Sequence, residues 1–171
     1  MRQSLSSFPL YCHVAAAYRE LGQAENQLIY LRKAARSGHV ASMTALAAQL
    51  LADGTPEEAV YWLDQAAQRG NAGAANNLGL LCLKGLGCRR DPRRAMGLLH
   101  EAAKRSNQAA HRHLGRIYLG RHPDYPEYSP VDPRQALYHL CRARELGASG
   151  DEGLIRLAED MLRSLSYSDP F

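Results

Sequence analysis

Leucine, alanine three residues on, and glycine or serine four beyond that form a frame that occurs four times along the chain. Leu31, Ala34 and Gly38 carry it first, then Leu63, Ala66 and Gly70, then Leu99, Ala102 and Ser106, and last Leu140, Ala143 and Gly147. Successive end points lie 32, 36 and 41 residues apart. Apolar residues at this spacing line one face of a helix. A glycine closing the frame predicts a helix stop, because it takes the left-handed conformation without a Cβ clash. Arg36, Arg69, Lys104 and Arg105 come just before the stops, where cations favour the negative end of the helix dipole.

Eight residues beyond the first three stops come Leu46, Leu78 and Leu114, each followed by a small residue: Ala47, Gly79 and Gly115. Four residues further lie Leu50, Cys82 and Tyr118, while Val14, Ala15 and Tyr18 fill these positions at the start of the chain. Each unit is therefore predicted as two amphipathic helices, with the small residue admitting its neighbour closely. One pair cannot bury its apolar stripe alone, but four stacked pairs make a continuous core. Leu154, Leu157, Ala158, Met161, Leu162 and Leu165 follow helical spacing and predict a closing helix. The expected fold is an all-α solenoid of about four antiparallel helix pairs plus a C-terminal capping helix. It forms one domain over 1–171, with repeats at about 10–38, 39–70, 71–106 and 107–147 and a cap at 148–171. Asp91-Pro92 and Asp132-Pro133 read as a capping carboxylate followed by proline in the first helical turn.

Composition agrees with this picture: 46% of residues are apolar and 22% charged, the balance of an ordinary globular chain. β-branched residues are scarce, which argues against a sandwich or barrel. No apolar run has membrane-spanning length. Cys12, Cys82, Cys88 and Cys141 are too irregularly spaced for a disulfide scaffold and contain no CxxC pair. Pro9, Tyr11 and His13 interrupt the apolar stretch nearest the start, against a secretory signal, and Tyr11 before Cys12 does not suit a lipoprotein cleavage site. The expected location is a reduced cytoplasm, with the periplasm left open.

The run Leu78-Gly79 through Gly85-Leu86-Gly87, Asp91-Pro92-Arg93-Arg94-Ala95 and Ala102-Ala103 resembles the Sel-one-like repeat. That family's pattern is LG, then GxG, a small apolar residue, xxD, xxKA and AA. The fourth unit matches at Leu114-Gly115, Tyr118, Gly120, Val131-Asp132 and Ala136, with extra residues inserted. The first two units lack the GxG loop and are similar in spacing to tetratricopeptide repeats. The resemblance covers roughly residues 10 to 147. It implies a right-handed superhelix of bacterial style whose first helices line a concave face and bind proteins or peptides.

Catalytic signatures are missing. Gly85-Leu86-Gly87 lacks a third glycine and follows a helix rather than a strand, and no GxSxG elbow occurs. His111 and His113 stand two apart, so on a helix they diverge by about 200° instead of sharing a metal. The seven histidines otherwise read as exposed helix residues. No catalytic residue, cofactor or metal is expected, and the chain is read as a non-enzyme.

Binding is the stronger expectation. Asn76 and Asn77 are mediocre helix formers. The tetratricopeptide resemblance puts Asn77 where such proteins often hold a partner's backbone, although either amide could instead satisfy the protein's own structure. Thr44 and Ala48 stand where a full carboxylate clamp would need cations. Residues 84–121 hold ten Lys and Arg against two acids, for +8 out of a total of +4. Arg112 and Arg116 are four apart on one helix face and are expected to join a groove with Asn76 and Leu80, unless they belong to a solvated basic face. Tyr125 and Tyr128 lie in the proline-rich insertion and either anchor a partner or fold back on their own repeat. The expected function is a protein–protein adaptor or scaffold whose partner carries an acidic segment. The alternative is a basic polyanion- or nucleic-acid-binding protein, disfavoured because aromatics do not interleave with the cations.

Overall fold

The computed structural model describes residues 8–124 and 131–167, and among these all regular structure is helical. Nine helices follow one another: α1 Phe8–Glu20, α2 Ala24–Arg36, α3 Val40–Ala52, α4 Pro56–Gln68, α5 Ala72–Lys84, α6 Pro92–Lys104, α7 Gln108–Tyr118, α8 Pro133–Glu145 and α9 Glu152–Tyr167. Each helix packs chiefly on the one before and the one after it, which is the contact pattern of a solenoid. The frame residues form its spine. Leu46, Leu78, Leu99, Leu114 and Leu140 are fully buried, as are Ala34, Ala66, Ala102 and Ala143. Burying each leucine stabilises the fold by about 1.5–3 kcal/mol. One core runs from Ala15 to Ile117, and a smaller one joins Leu119, Ala136, Leu140, Ile155 and Ala158, with Tyr118 packing against both.

The small residues matter where first and second helices of a pair meet. A Cβ on Gly115 would lie 2.6 Å from Leu140 Cγ, and one on Gly79 would lie 3.2 Å from Leu99 Cγ. The closing helix departs from the expected register in one respect. Ile155 and Ala158 are its buried residues, whereas Leu165 is 57% exposed. The helical turn carries Leu165 round to solvent while Ile155 faces α8.

Every stop in the frame is left-handed: Gly38, Gly70, Ser106 and Gly147 have φ of 94°, 86°, 58° and 96°. The next residue caps the following helix in three cases. His39, Asn71 and Asn107 accept through their side chains from the backbone N–H of Ser42, Ala74 and Ala110. Asp91 and Asp132 cap α6 and α8 in the same manner. Ser106 is the one non-glycine at positive φ among the described residues, and a side chain there costs roughly 1–2 kcal/mol. Ser106→Gly should therefore stabilise the protein by about 0.5–1 kcal/mol, since the extra freedom of glycine in the unfolded chain offsets part of the relief. A denaturant titration measures this as a raised midpoint at unchanged slope.

Candidate functional site

Counted from the capping residues His39, Asn71 and Asn107, the fifth and ninth positions are Thr44 and Ala48 on α3, Asn76 and Leu80 on α5, and Arg112 and Arg116 on α7. These equivalent positions form a row across the first helices of the pairs. Asn76 is buried, donates through Nδ2 to Asn77 Oδ1 at 3.1 Å, and keeps its own Oδ1 without a partner. Asn77 is exposed one position further round the helix, and Leu80 is half-buried against the core.

The two arginines do not stand open to a partner's carboxylates, which corrects the sequence-based expectation. Both close on Asp151, whose side chain is only 4% exposed. Arg112 Nε lies 2.6 Å from Oδ2 and its Nη2 donates to Oδ1 at 3.2 Å, while Arg116 Nη2 donates to the same Oδ1 at 3.2 Å. The two bonds to Oδ1 are charge-assisted and stronger than neutral ones, and the Nε–Oδ2 approach adds a close ion contact without hydrogen-bond alignment. The Asp151 carbonyl meanwhile accepts from the N–H groups of Leu154 and Ile155 and so starts α9. Two cations of the basic segment thus hold the cap. Nothing in the spacing of residues 112, 116 and 151 announces a pairing across 35 to 39 residues.

Other cations are also taken internally. Arg94 pairs with Asp64 of α4, Arg105 with Glu101, and Lys84 with Asp124. Together with Arg112 and Arg116, at least five of the ten basic residues of 84–121 therefore meet a carboxylate among the described residues, three of the four acids being supplied from outside that segment. Asp124 belongs to the insertion after α7, whose first residues fold back: His122 is buried and its Nε2 lies 3.1 Å from His113 Nδ1. Tyr125 and Tyr128 lie outside the described residues.

The histidines differ most from expectation. His111 and His113 do diverge, but neither is left to solvent: His111 joins a buried pair, and the half-buried His113 meets the buried His122. His111 Nδ1 meets His139 Nδ1 at 2.9 Å, both rings being 4% exposed. His139 stacks on Tyr118 with an interplanar angle of 10°, and His100 Nε2 lies 3.1 Å from the Tyr118 hydroxyl. A signal existed: His111 is three residues before Leu114 and His139 three after Ala136, which puts both on buried faces. Among the described residues no three His, Cys, Asp or Glu side chains are arranged to hold a metal ion.

Burial, then the neighbouring His111 and His100, pushes the His139 imidazole down to about 4. Burial and then His122 take His113 to about 4 as well. His100, His111 and His122 are lowered too, chiefly by burial. The folded protein therefore resists protons that the unfolded chain accepts near pH 6.5. This stability is complete above that value and is lost as pH falls toward 4. Discounted for the solvent that reaches the rings, the loss at pH 5 is on the order of 2 kcal/mol, a melting temperature lower by roughly 4–8 °C. Melts at pH 7.5 and 5.0 check this, because carboxylates scarcely titrate in that interval.

Cys82 is no activated nucleophile. Its Sγ lies 3.8 Å from Cys88 Sγ, and burial followed by the Cys88 thiol pushes it up to about 11. No helix among the described residues is long and apolar enough to cross a membrane.

Against known families, the Sel1 repeat matches residues 28–39, 40–71, 72–107 and 108–147. Among solved structures, a Sel1 repeat protein from Oxalobacter formigenes is similar with a TM-score of 0.70 at 22% identity, covering 84% of this chain and 60% of that one. A protective antigen present in uropathogenic Escherichia coli strains, displaying an SLR fold, is similar with a TM-score of 0.59 at 22% identity, covering 78% and 32%. The chain thus spans less than two thirds of either neighbour. No curated protein matches it.

Proposed function

The chain belongs to the Sel1 repeat family, whose members generally mediate protein–protein interaction on a non-catalytic scaffold, and from that premise we propose that it is a non-enzymatic adaptor binding a partner protein with an acidic segment. The observation that carries this proposal is the row of equivalent positions across α3, α5 and α7. A row at one-repeat spacing suits an extended segment laid over the first helices, on the concave side of the superhelix. Leu80 offers an apolar floor within it, Asn77 an exposed amide one position to its side, and Asn76 backs them with an oxygen that has no partner among the described residues. An amide can hold a peptide backbone through both its donor and its acceptor. Tyr125 and Tyr128 are kept as anchors from the insertion. Arg112 and Arg116 are assigned to the cap instead.

The polyanion alternative is weakened by the internal pairing of five cations in the basic segment, which lowers the charge left for phosphates. A reducing cytoplasm is kept as the proposed location, with the periplasm open. Affinity capture from native lysate, with and without nuclease, tests the proposal. A protein retained in both conditions is expected. Material that disappears with nuclease, or the absence of any retained protein, would overturn it.

A further inference from the structure

Between α6 and α8, the second helices of adjacent pairs, lies a cleft of about 330 Å³ that includes no carboxylate in its lining. Lys104 and Arg142 stand at its rim, Ser106 and Gln135 add neutral donors, and the His111–His139 pair lies in its lining. Lys104 is exposed and has no carboxylate partner among the described residues. Arg142 is 43% exposed and, among the described residues, pairs with the exposed Glu145 of its own helix. Two cations, three neutral donors in Ser106, Gln135 and Tyr138, and three imidazoles line one polar hollow, a receptor for an anion. The hollow is several times the roughly 30 Å³ that a water occupies in the liquid, room for more than one small group.

We propose that this cleft binds carboxylate side chains of an acidic peptide segment, with Lys104 and Arg142 as the principal contacts. The proposal rests on the adaptor function above and gives its acidic partner a place that Arg112 and Arg116, held by Asp151, do not provide. Arg142 offers the planar fork that matches a carboxylate, and Lys104 a compact charge on a flexible stem. The paired histidines add a proton dependence. His139 is faced by His100 from α6, by His111 and Tyr118 from α7, and by Tyr138 on its own helix, while Arg142 acts on His111 and Lys104 on His100. In the empty cleft these cations oppose a proton on the pair. A bound carboxylate reverses that balance, so binding takes up a proton and tightens as pH falls.

The test is fluorescence anisotropy of a labelled decapeptide of alternating glutamate and glycine, titrated with the full chain at pH 7.5 and 6.0. Lys104→Ala and Arg142→Ala are expected to weaken binding at least fivefold each and the double variant at least twentyfold, with melting temperatures unchanged because both side chains are solvent-exposed. Arg163→Ala on α9 should bind as wild type does. Binding should tighten at least threefold at pH 6.0, and His139→Gln should abolish that gain; if this variant fails to fold, the lysine and arginine variants still decide the location. No binding, or equal binding by the double variant, would overturn the proposal. So would displacement of the peptide by inorganic phosphate at concentrations near the peptide's own Kd, which would mark a site for a free anion. A partner captured from lysate and still held by the double variant would sink the cleft while leaving the adaptor function standing. Peptide binding without any captured protein would do the reverse.

Discussion

Replacing Arg112 and Arg116 together with alanine should detach the capping helix and destabilise the protein by about 2–3 kcal/mol. The reason is the carboxylate left behind. Asp151 is 4% exposed, its Oδ1 accepts from both guanidinium groups, and Arg112 Nε lies 2.6 Å from its Oδ2. Removing the partners of a buried charge typically costs about 3–5 kcal/mol, and the lower figure applies here because the arginine side chains are 36% exposed. The melting temperature should fall by roughly 5–10 °C, and amide protection should be lost first in residues 152–167. Adding Asp151→Ala to the double variant should restore part of the stability, because the orphaned charge is then gone. That non-additivity separates a true pairing from a general surface effect. Wild-type melts for the double variant would remove Asp151 as the reason these arginines are present.

Gly87→Ala is expected to cost about 3 kcal/mol for a different reason. The position has φ of 71°, and a Cβ there would overlap the Pro56 carbonyl and lie 2.9 Å from Glu57 N. The obstacle is the backbone at the start of α4, which cannot rotate aside as a side chain can. Gly85 provides the control. It shares a φ of 71°, but a Cβ there meets Arg90 Cβ at 3.1 Å, so Gly85→Ala should cost about 1–2 kcal/mol from the backbone conformation. A denaturant midpoint for Gly87→Ala no lower than that for Gly85→Ala would show that the loop yields.

Much of the scaffold could be read from local pattern. Leu31 to Gly38 and its three repeats mark buried face and stop within about two turns, and Asp91-Pro92 marks a helix start within two residues. Ser106 could be placed in register even without glycine. The candidate site was less legible because its contacts are long-range. Gly85-Leu86-Gly87 is recognisable as a family loop, yet the contact of Gly87 with Pro56 exists only once the second and third repeats stack. Arg112 and Arg116 share a helix face as their spacing requires, but what they face is set by the loop before α9. His111 and His139 were legible as inward positions from Leu114 and Ala136. Their polarity obscured this, because an imidazole is tolerated in a buried position only when a second group satisfies it.

On the proposed function, the surface of this stack holds a protein and not a nucleic acid. The most direct test is calorimetric titration of the purified captured partner, freed of nucleic acid, at 50 mM and 200 mM salt. A saturable complex is expected whose affinity falls less than about tenfold across that range, since its contacts are partly apolar and amide-based with few charges. A loss of about 10³ or more, the signature of many released counterions, or no heat of binding without nucleic acid, would contradict it.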